Sequence, residues 1–209
     1  MEPARKPRNA TREENLAVIL HHAEKIFAEF GFKGATMQAI ADAAGLPKAN
    51  LHYYFPTKLA LYREVIERIF TIWLEAADSF DTSATPEEAL SRYIRKKMEI
   101  SRAHPCGSKV WANEVIQGAP IIQDYLQTTL NEWTDTRIKV INRWIAEEKI
   151  DTVDPRHLLY MIWATTQHYA DFQHQIVTLN SGNPLSDSQW ENATDSVTGV
   201  ILRGIGLKP

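Results

Sequence analysis

Apolar residues recur at intervals of three and four along nearly the whole chain. Leu16, Ile19, Leu20, Ala23, Phe27 and Phe30 mark the first such stripe. A repeat near 3.6 residues gathers them on one buried face of a helix, whereas a half-buried strand would alternate with period two. No segment alternates convincingly, so the pattern predicts an all-α fold. Helix starts are marked by side-chain oxygens that accept from the free backbone N–H groups of a first turn. Thr11-Arg12-Glu13-Glu14, Thr85-Pro86-Glu87-Glu88 and Ser186-Asp187-Ser188-Gln189 have the spacing of a capping box. Asp154-Pro155 adds a capping carboxylate followed by proline where its missing N–H costs nothing, and Thr36 and Thr57 read as simpler caps.

The pattern and its breaks predict helices over 12–30, 37–44, 48–54, 58–80, 86–103, 108–117, 120–149, 155–179 and 187–204. Three short helices end at Pro56 and longer ones follow. This predicts a small N-terminal domain over residues 1–57 and a larger helical bundle over 58–209, with the helix from Thr57 as the joint. The 209 residues accommodate both. At 44% hydrophobic and 23% charged the chain has ordinary globular composition. No apolar run approaches the roughly 18–20 residues of a membrane span, and MEPARKPRNATREEN lacks the apolar stretch of a secretory signal. The expectation is a cytoplasmic protein without membrane association. Cys106 is the sole cysteine, so neither an internal disulfide nor a zinc finger is supported.

Charge changes the picture only when it is divided along the chain. The net charge of −3 splits into eight Lys/Arg against six Asp/Glu in residues 1–60, a balance of +2, and fifteen against twenty beyond, a balance of −5. Arg5, Lys6, Arg8 and Arg12 crowd the first positions, as in an arm that lies along phosphates.

The segment from Thr36 to Phe55 then places two short helices around a turn at Gly45. A glycine there adopts a left-handed backbone, and Ala41 and Ala44 allow close approach. Met37, Ile40, Leu46, Leu51, Tyr54 and Phe55 supply a core shared with Leu20, Phe27 and Phe30. Lys48, Asn50, His52 and Tyr53 stay outside, the positions that enter a major groove in a helix-turn-helix.

Here the chain resembles the TetR family of transcriptional repressors. Gly31-Phe32, Gly34, Thr36, Ile40-Ala41, Ala44-Gly45-Leu46, Leu51, Tyr54-Phe55 and Lys58 stand at the family's spacing. The resemblance implies that Thr36, Gln38, Tyr54 and Lys58 lie near backbone phosphates, while Lys48, Asn50 and Tyr53 face bases. Pro47 replaces the usual serine cap and His52 the usual tyrosine, which leaves one cap and one phosphate contact open; His52 retains a donor for phosphate. Tyr54 and Phe55 serve equally well as core.

Beyond residue 58 the chain resembles the RutR-type branch of that family, with a YcdC-type C-terminal domain. The likeness runs through Phe70-Thr71-Ile72-Trp73-Leu74, Glu114 to Pro120, and Met161 to Phe172. It implies sensing of a pyrimidine such as uracil or thymine and control of nucleobase catabolism.

The helix from Asp154 carries Trp163, Gln167, Asp171 and His174 along one stripe, with His168, Phe172 and Gln175 beside it. Indole faces stack on a flat heterocycle, and Gln167 and Asp171 would satisfy its edge. Trp73, Trp111 and Glu114 are further candidates for this site, with Asn113 and Gln117; each tryptophan has plain core as its alternative. The last two long helices are also expected to pair two subunits, with His168 and Phe172 on that side, so that a homodimer meets a palindromic double-stranded DNA operator. A bulky hydrophobic drug or acyl chain is the rival effector and would need a wide apolar pocket. Catalysis is not expected: His168 and Asp171 stand three apart, but no nucleophile motif, phosphate loop or metal-ligand set accompanies them, and no cofactor is implied.

Overall fold

The computed structural model describes residues 8–77, 79–83 and 85–207; the basic positions Arg5 and Lys6 lie outside the described residues, as do the side chains of Arg8 and Thr11. All regular structure among the described residues is helical, and no helix there is long and apolar enough to cross a membrane. The helices are α1 (Arg8–Gly34), α2 (Met37–Ala43), α3 (Lys48–Tyr54), α4 (Lys58–Glu75), α5 (Ser79–Thr82), α6 (Pro86–Ala103), α7 (Pro105–Ile116), α8 (Gln123–Tyr125), α9 (Asn131–Ala146), α10 (Pro155–Asp171), α11 (Gln173–Leu179) and α12 (Asp187–Gly204). A π-helical turn, Leu126–Leu130, joins α8 to α9.

The chain forms two compact units that part after Ile69, inside α4, where the sequence pattern places the division at Thr57. In the first unit, Ile19, Ala23 and Phe27 of α1 close on Ile40, Ala41 and Leu51, with Leu61, Tyr62, Val65 and Ile66 from α4 also buried. Phe27 meets Tyr62 edge-to-face at 4.9 Å between ring centres. Phe30 does not join this core; it is 53% exposed at the end of α1, because the helical path breaks at Gly31 (φ 65°, ψ 177°). Leu46 and Tyr54 are half-buried.

In the second unit, α6 lies at the centre and packs against α5, α7, α10 and α12. Its Leu90, Tyr93, Ile94 and Met98 meet a buried face of α10 formed by Leu158, Leu159, Ile162 and Ala170. The caps predicted for these helices are formed. Thr85 Oγ1 accepts from the Glu88 N–H at 3.2 Å, and the Asp154 carboxylate accepts from Arg156 and His157 at 2.8 and 3.0 Å. Ser186 and Gln189 cap α12 reciprocally. Thr11 opens no helix, because α1 has already begun at Arg8. The single helix predicted over 155–179 is broken at Phe172, whose ψ of 27° separates α10 from α11; neither glycine nor proline marks that break.

Candidate functional site

α2 and α3 form the helix-turn-helix. Gly45 turns between them at φ 65°, and the N–H groups of Gly45 and Leu46 return to the carbonyls of Asp42 and Ala41. At the entrance to α2, Thr36 Oγ1 accepts from the Ala39 N–H at 3.0 Å, and Gln38 donates to Asp42 Oδ1 at 2.8 Å one turn on. Pro47 stands at the start of α3 with no side-chain cap.

Lys48, Asn50, His52 and Tyr53 are all exposed on α3. Tyr53 is 74% exposed, a large apolar ring that the unit leaves in solvent. His52 Nδ1 lies 3.3 Å from the Pro56 carbonyl. Two of the resemblance-based phosphate positions have internal duties. The Tyr54 hydroxyl accepts from Asn15 at 3.5 Å. Lys58 Nζ donates to the carbonyls of Phe32 and Ala35 at 2.6 and 2.8 Å and rests over the Phe32 ring. It thereby fastens the α1–α2 turn to the start of α4, with one of the three ammonium donors left over.

The second unit holds a half-open cavity of about 60 Å³ lined by Phe70, Trp73, Leu74, Tyr93, Lys97, Trp111, Leu130, Trp133, Trp163 and Gln167. Of the six residues expected in the ligand site, Trp73, Trp111, Trp163 and Gln167 are brought together here. The rings form two groups, Phe70–Trp111–Trp73 and Tyr93–Trp133–Trp163. Phe70 stacks on Trp111 with centres 5.1 Å apart and planes 6° apart, and Trp73 meets Trp111 edge-on at 5.6 Å. Trp163 donates from Nε1 to the Tyr93 hydroxyl at 2.9 Å, and burial pushes the Tyr93 phenol up. Among the described residues the Nε1 groups of Trp73 and Trp133 are buried without an acceptor.

Glu114 is not at this cavity. Its carboxylate is buried and accepts from the Ile121 N–H at 2.6 Å, holding the turn after α7 together. Asp171 lies one step outside, in a groove of about 730 Å³ that shares Trp111, Trp163 and Gln167 with the cavity and is also lined by Asn113, Ile116, His168 and Phe172. Asp171 Oδ1 accepts from Ser108 Oγ at 2.5 Å. Burial raises the Asp171 carboxyl above its ordinary range, opposed by that hydrogen bond and by Lys97.

Sequence reading passed over Tyr93, Trp133 and above all Lys97. Lys97 is 2% exposed and its Nζ sits 4.4 Å from the centre of the Trp73 ring. Burial lowers its ammonium pKa to about 7, while attraction from Asp171 opposes the shift. A signal was present: Leu90, Tyr93, Ile94, Lys97 and Ser101 are spaced as one helical face, so a lysine stands in the apolar stripe of α6. Large apolar side chains also stand in solvent around α10 and α12: Tyr160, Met161 and Phe172 are 46–54% exposed and Val200 is 62% exposed, with Phe172 on the rim of the outer groove and Tyr160 against Trp163. His168 stacks on Phe172 at 5.0 Å between ring centres.

An outward-facing recognition helix in one unit and an aromatic cavity in the other define a helix-turn-helix transcriptional regulator with a separate ligand-binding domain. The chain belongs to the TetR family: residues 19–65 match the model of bacterial regulatory proteins of the tetR family, and residues 66–208 match that of the YcdC-like protein C-terminal region. It is 40% identical over 188 residues to the HTH-type transcriptional regulator RutR of Escherichia coli K12, covering 90% of this chain and 88% of that one. It is also 25% identical to the HTH-type transcriptional repressor KstR2 of Mycolicibacterium smegmatis, over 98% and 96% of the two chains. Among solved structures, the TetR family regulator PfmR of Thermus thermophilus superposes with a TM-score of 0.71 at 18% identity, over 91% of this chain and 96% of that one. AibR, solved with isovaleryl coenzyme A and operator DNA, gives 0.71 at 18% identity, over 89% and 97%.

Proposed function

We propose that the protein is a repressor that binds a palindromic operator as a homodimer and is released by a pyrimidine such as uracil or thymine, so controlling nucleobase catabolism in the cytoplasm. The observation that carries this reading is the cavity: small, walled by flat aromatic rings, and supplied with the Gln167 amide and the Lys97 side chain. About 60 Å³ suits one small planar ring, since a single water needs ~10–15 Å³ measured the same way. The RutR-type resemblance of the second unit supports the same ligand class. Trp73, Trp111, Trp163 and Gln167 form the effector contacts in this reading, and Asp171 acts from the rim through Ser108.

Lys48, Asn50 and Tyr53 read bases from exposed positions on α3. Thr36, Gln38, His52, Tyr54 and Lys58 position the phosphates, which fix register without reading sequence. The exposed apolar residues of α10 and α12 bury one another across a two-fold axis. Two recognition helices then address half-sites about 34–36 Å apart. α4 contributes Tyr62 and Ile66 to one unit and Phe70 and Trp73 to the other, and effector binding beside Trp73 shifts it.

Thermal-shift screening of nucleobases against lipophilic acyl compounds, followed by operator release, tests the reading. Stabilisation by uracil or thymine is expected; stabilisation by the lipophilic set alone would reject it and point to occupation of the larger outer groove.

A further inference from the structure

The cavity holds one feature that stacking of a flat ring does not require. Among its lining residues Lys97 alone carries a formal charge, and among the described residues its Nζ makes no hydrogen bond or ion pair. It is held over the Trp73 face instead. The Trp163 indole is already engaged by Tyr93, and the buried Nε1 groups of Trp73 and Trp133 are shielded from the cavity space. The donor that the cavity leaves open is therefore Lys97 Nζ, and a complementary ligand brings an oxygen acceptor to it.

We infer that Lys97 determines effector specificity by donating from its ammonium to a ring oxygen of the effector, so that effector capture takes up a proton from solvent onto Lys97 Nζ. This rests on reading the cavity as the effector site. Groups facing Lys97 set the direction. From α10, Asp171 attracts its charge, and is itself engaged by Ser108. Two other charged groups of this unit act elsewhere and do not enter the Lys97 shift: Glu114 of α7 is bonded to the Ile121 N–H, and Arg137 of α9 lies against the Trp133 ring. On α6 itself Tyr93 is neutral, and α4 brings only Phe70, Trp73 and Leu74 to the cavity. In the empty site, burial outweighs Asp171 and the ammonium loses its proton near pH 7. A ligand oxygen replaces the missing solvation and raises that value. Between the two values the complex holds a proton that the free protein lacks, so affinity falls as pH rises above 7 and is flat below it. A ring presenting carbonyl oxygens is selected over one whose edge offers only N–H or C–H groups.

Uracil and thymine titrated calorimetrically into the full-length protein at pH 8, in phosphate and in Tris, report the proton directly. Uptake approaching one proton per site is expected, with affinity about five-fold weaker at pH 8 than at pH 7. In the wild-type protein carrying ¹³C-labelled lysine, the Lys97 Cε signal should titrate near pH 7 and move to higher pH with uracil. Lys97→Met should bind at least ten-fold more weakly and lose the proton uptake. Tight uracil binding with no proton uptake, or an unmoved Lys97 titration, overturns the inference while leaving the pyrimidine reading intact. Failure of every pyrimidine to bind overturns both.

Discussion

At Gly45 the backbone turns through φ 65°, and a Cβ built there would meet nothing within 4 Å. The glycine is required by conformation and not by space. An L-residue in the left-handed region costs roughly 1–2 kcal/mol, so Gly45→Ala should lower the urea midpoint by the equivalent of about that amount. Gly204 at the end of α12 also has open space around its Cβ position but no positive φ. Gly204→Ala should therefore be neutral or slightly stabilising, by about 0.5 kcal/mol. Lys97 makes a second residue-level case. Its folded pKa is lowered to about 7 from an unfolded value near 10.4. The unfolded chain thus binds more protons across that window, and stability rises with pH through it; below pH 7 the cost of the buried charge is present in full. The slope is on the order of 1 kcal/mol per pH unit. Thermal melts from pH 6.5 to 9.5, taken as the difference from Lys97→Met, should show this contribution in the wild type, and the variant should be the more stable of the two at pH 6.5.

At the scale of elements, the helices were legible where their determinants are local. Thr36, Thr85, Asp154 and Ser186 each cap the helix predicted from the side-chain oxygen at that position, because a cap needs only residues three apart. Removing the reciprocal cap in Ser186→Ala should cost about 1 kcal/mol, read as a lower calorimetric midpoint. Asp154 adds a pH signature: its carboxyl is held below the usual carboxylate range by the His157 and Arg156 N–H groups. Its contribution is present above the unfolded pKa and disappears as pH falls through the folded one. Features that depend on tertiary partners were not legible. Phe30 continues the apolar stripe of α1 in sequence but is turned out at Gly31. The Phe172 break has no local marker. Glu114 and Asp171 sit at suitable helical positions, yet one is taken by the Ile121 N–H and the other by Ser108, partners that no periodicity could supply. Lys97 is the instructive omission: the stripe of α6 displays it, but lysines ordinarily keep their charge in water, and only the cavity shows this one held inside.

At the scale of the whole molecule, reading and sensing are assigned to different units, so variants should separate them. Trp73 lines the cavity from α4 and is 7% exposed. Trp73→Ala should require more effector for operator release while the effector-free protein still binds its operator; release at an unchanged uracil concentration would remove Trp73 from the site. A single mobility-shift series with uracil bounds the communication between units. A coupling of ~1–3 kcal/mol corresponds to a 5–150-fold loss of operator affinity, and linkage requires operator DNA to weaken uracil binding by the same factor. The outer face of α10 and α12 supplies the independent control. Met161 is 53% and Val200 62% exposed, an apolar surface that in the proposed dimer is covered by its own copy. Placing a carboxylate there, as in Met161→Glu, would bury an unpaired charge at the two-fold contact. Sedimentation should show a monomer, and operator affinity should fall at least ten-fold because each monomer presents one recognition helix to a two-half-site operator. Uracil should still stabilise that monomer, since none of the residues lining the cavity is Met161. Loss of uracil stabilisation together with the dimer would instead mean that the partner completes the effector site.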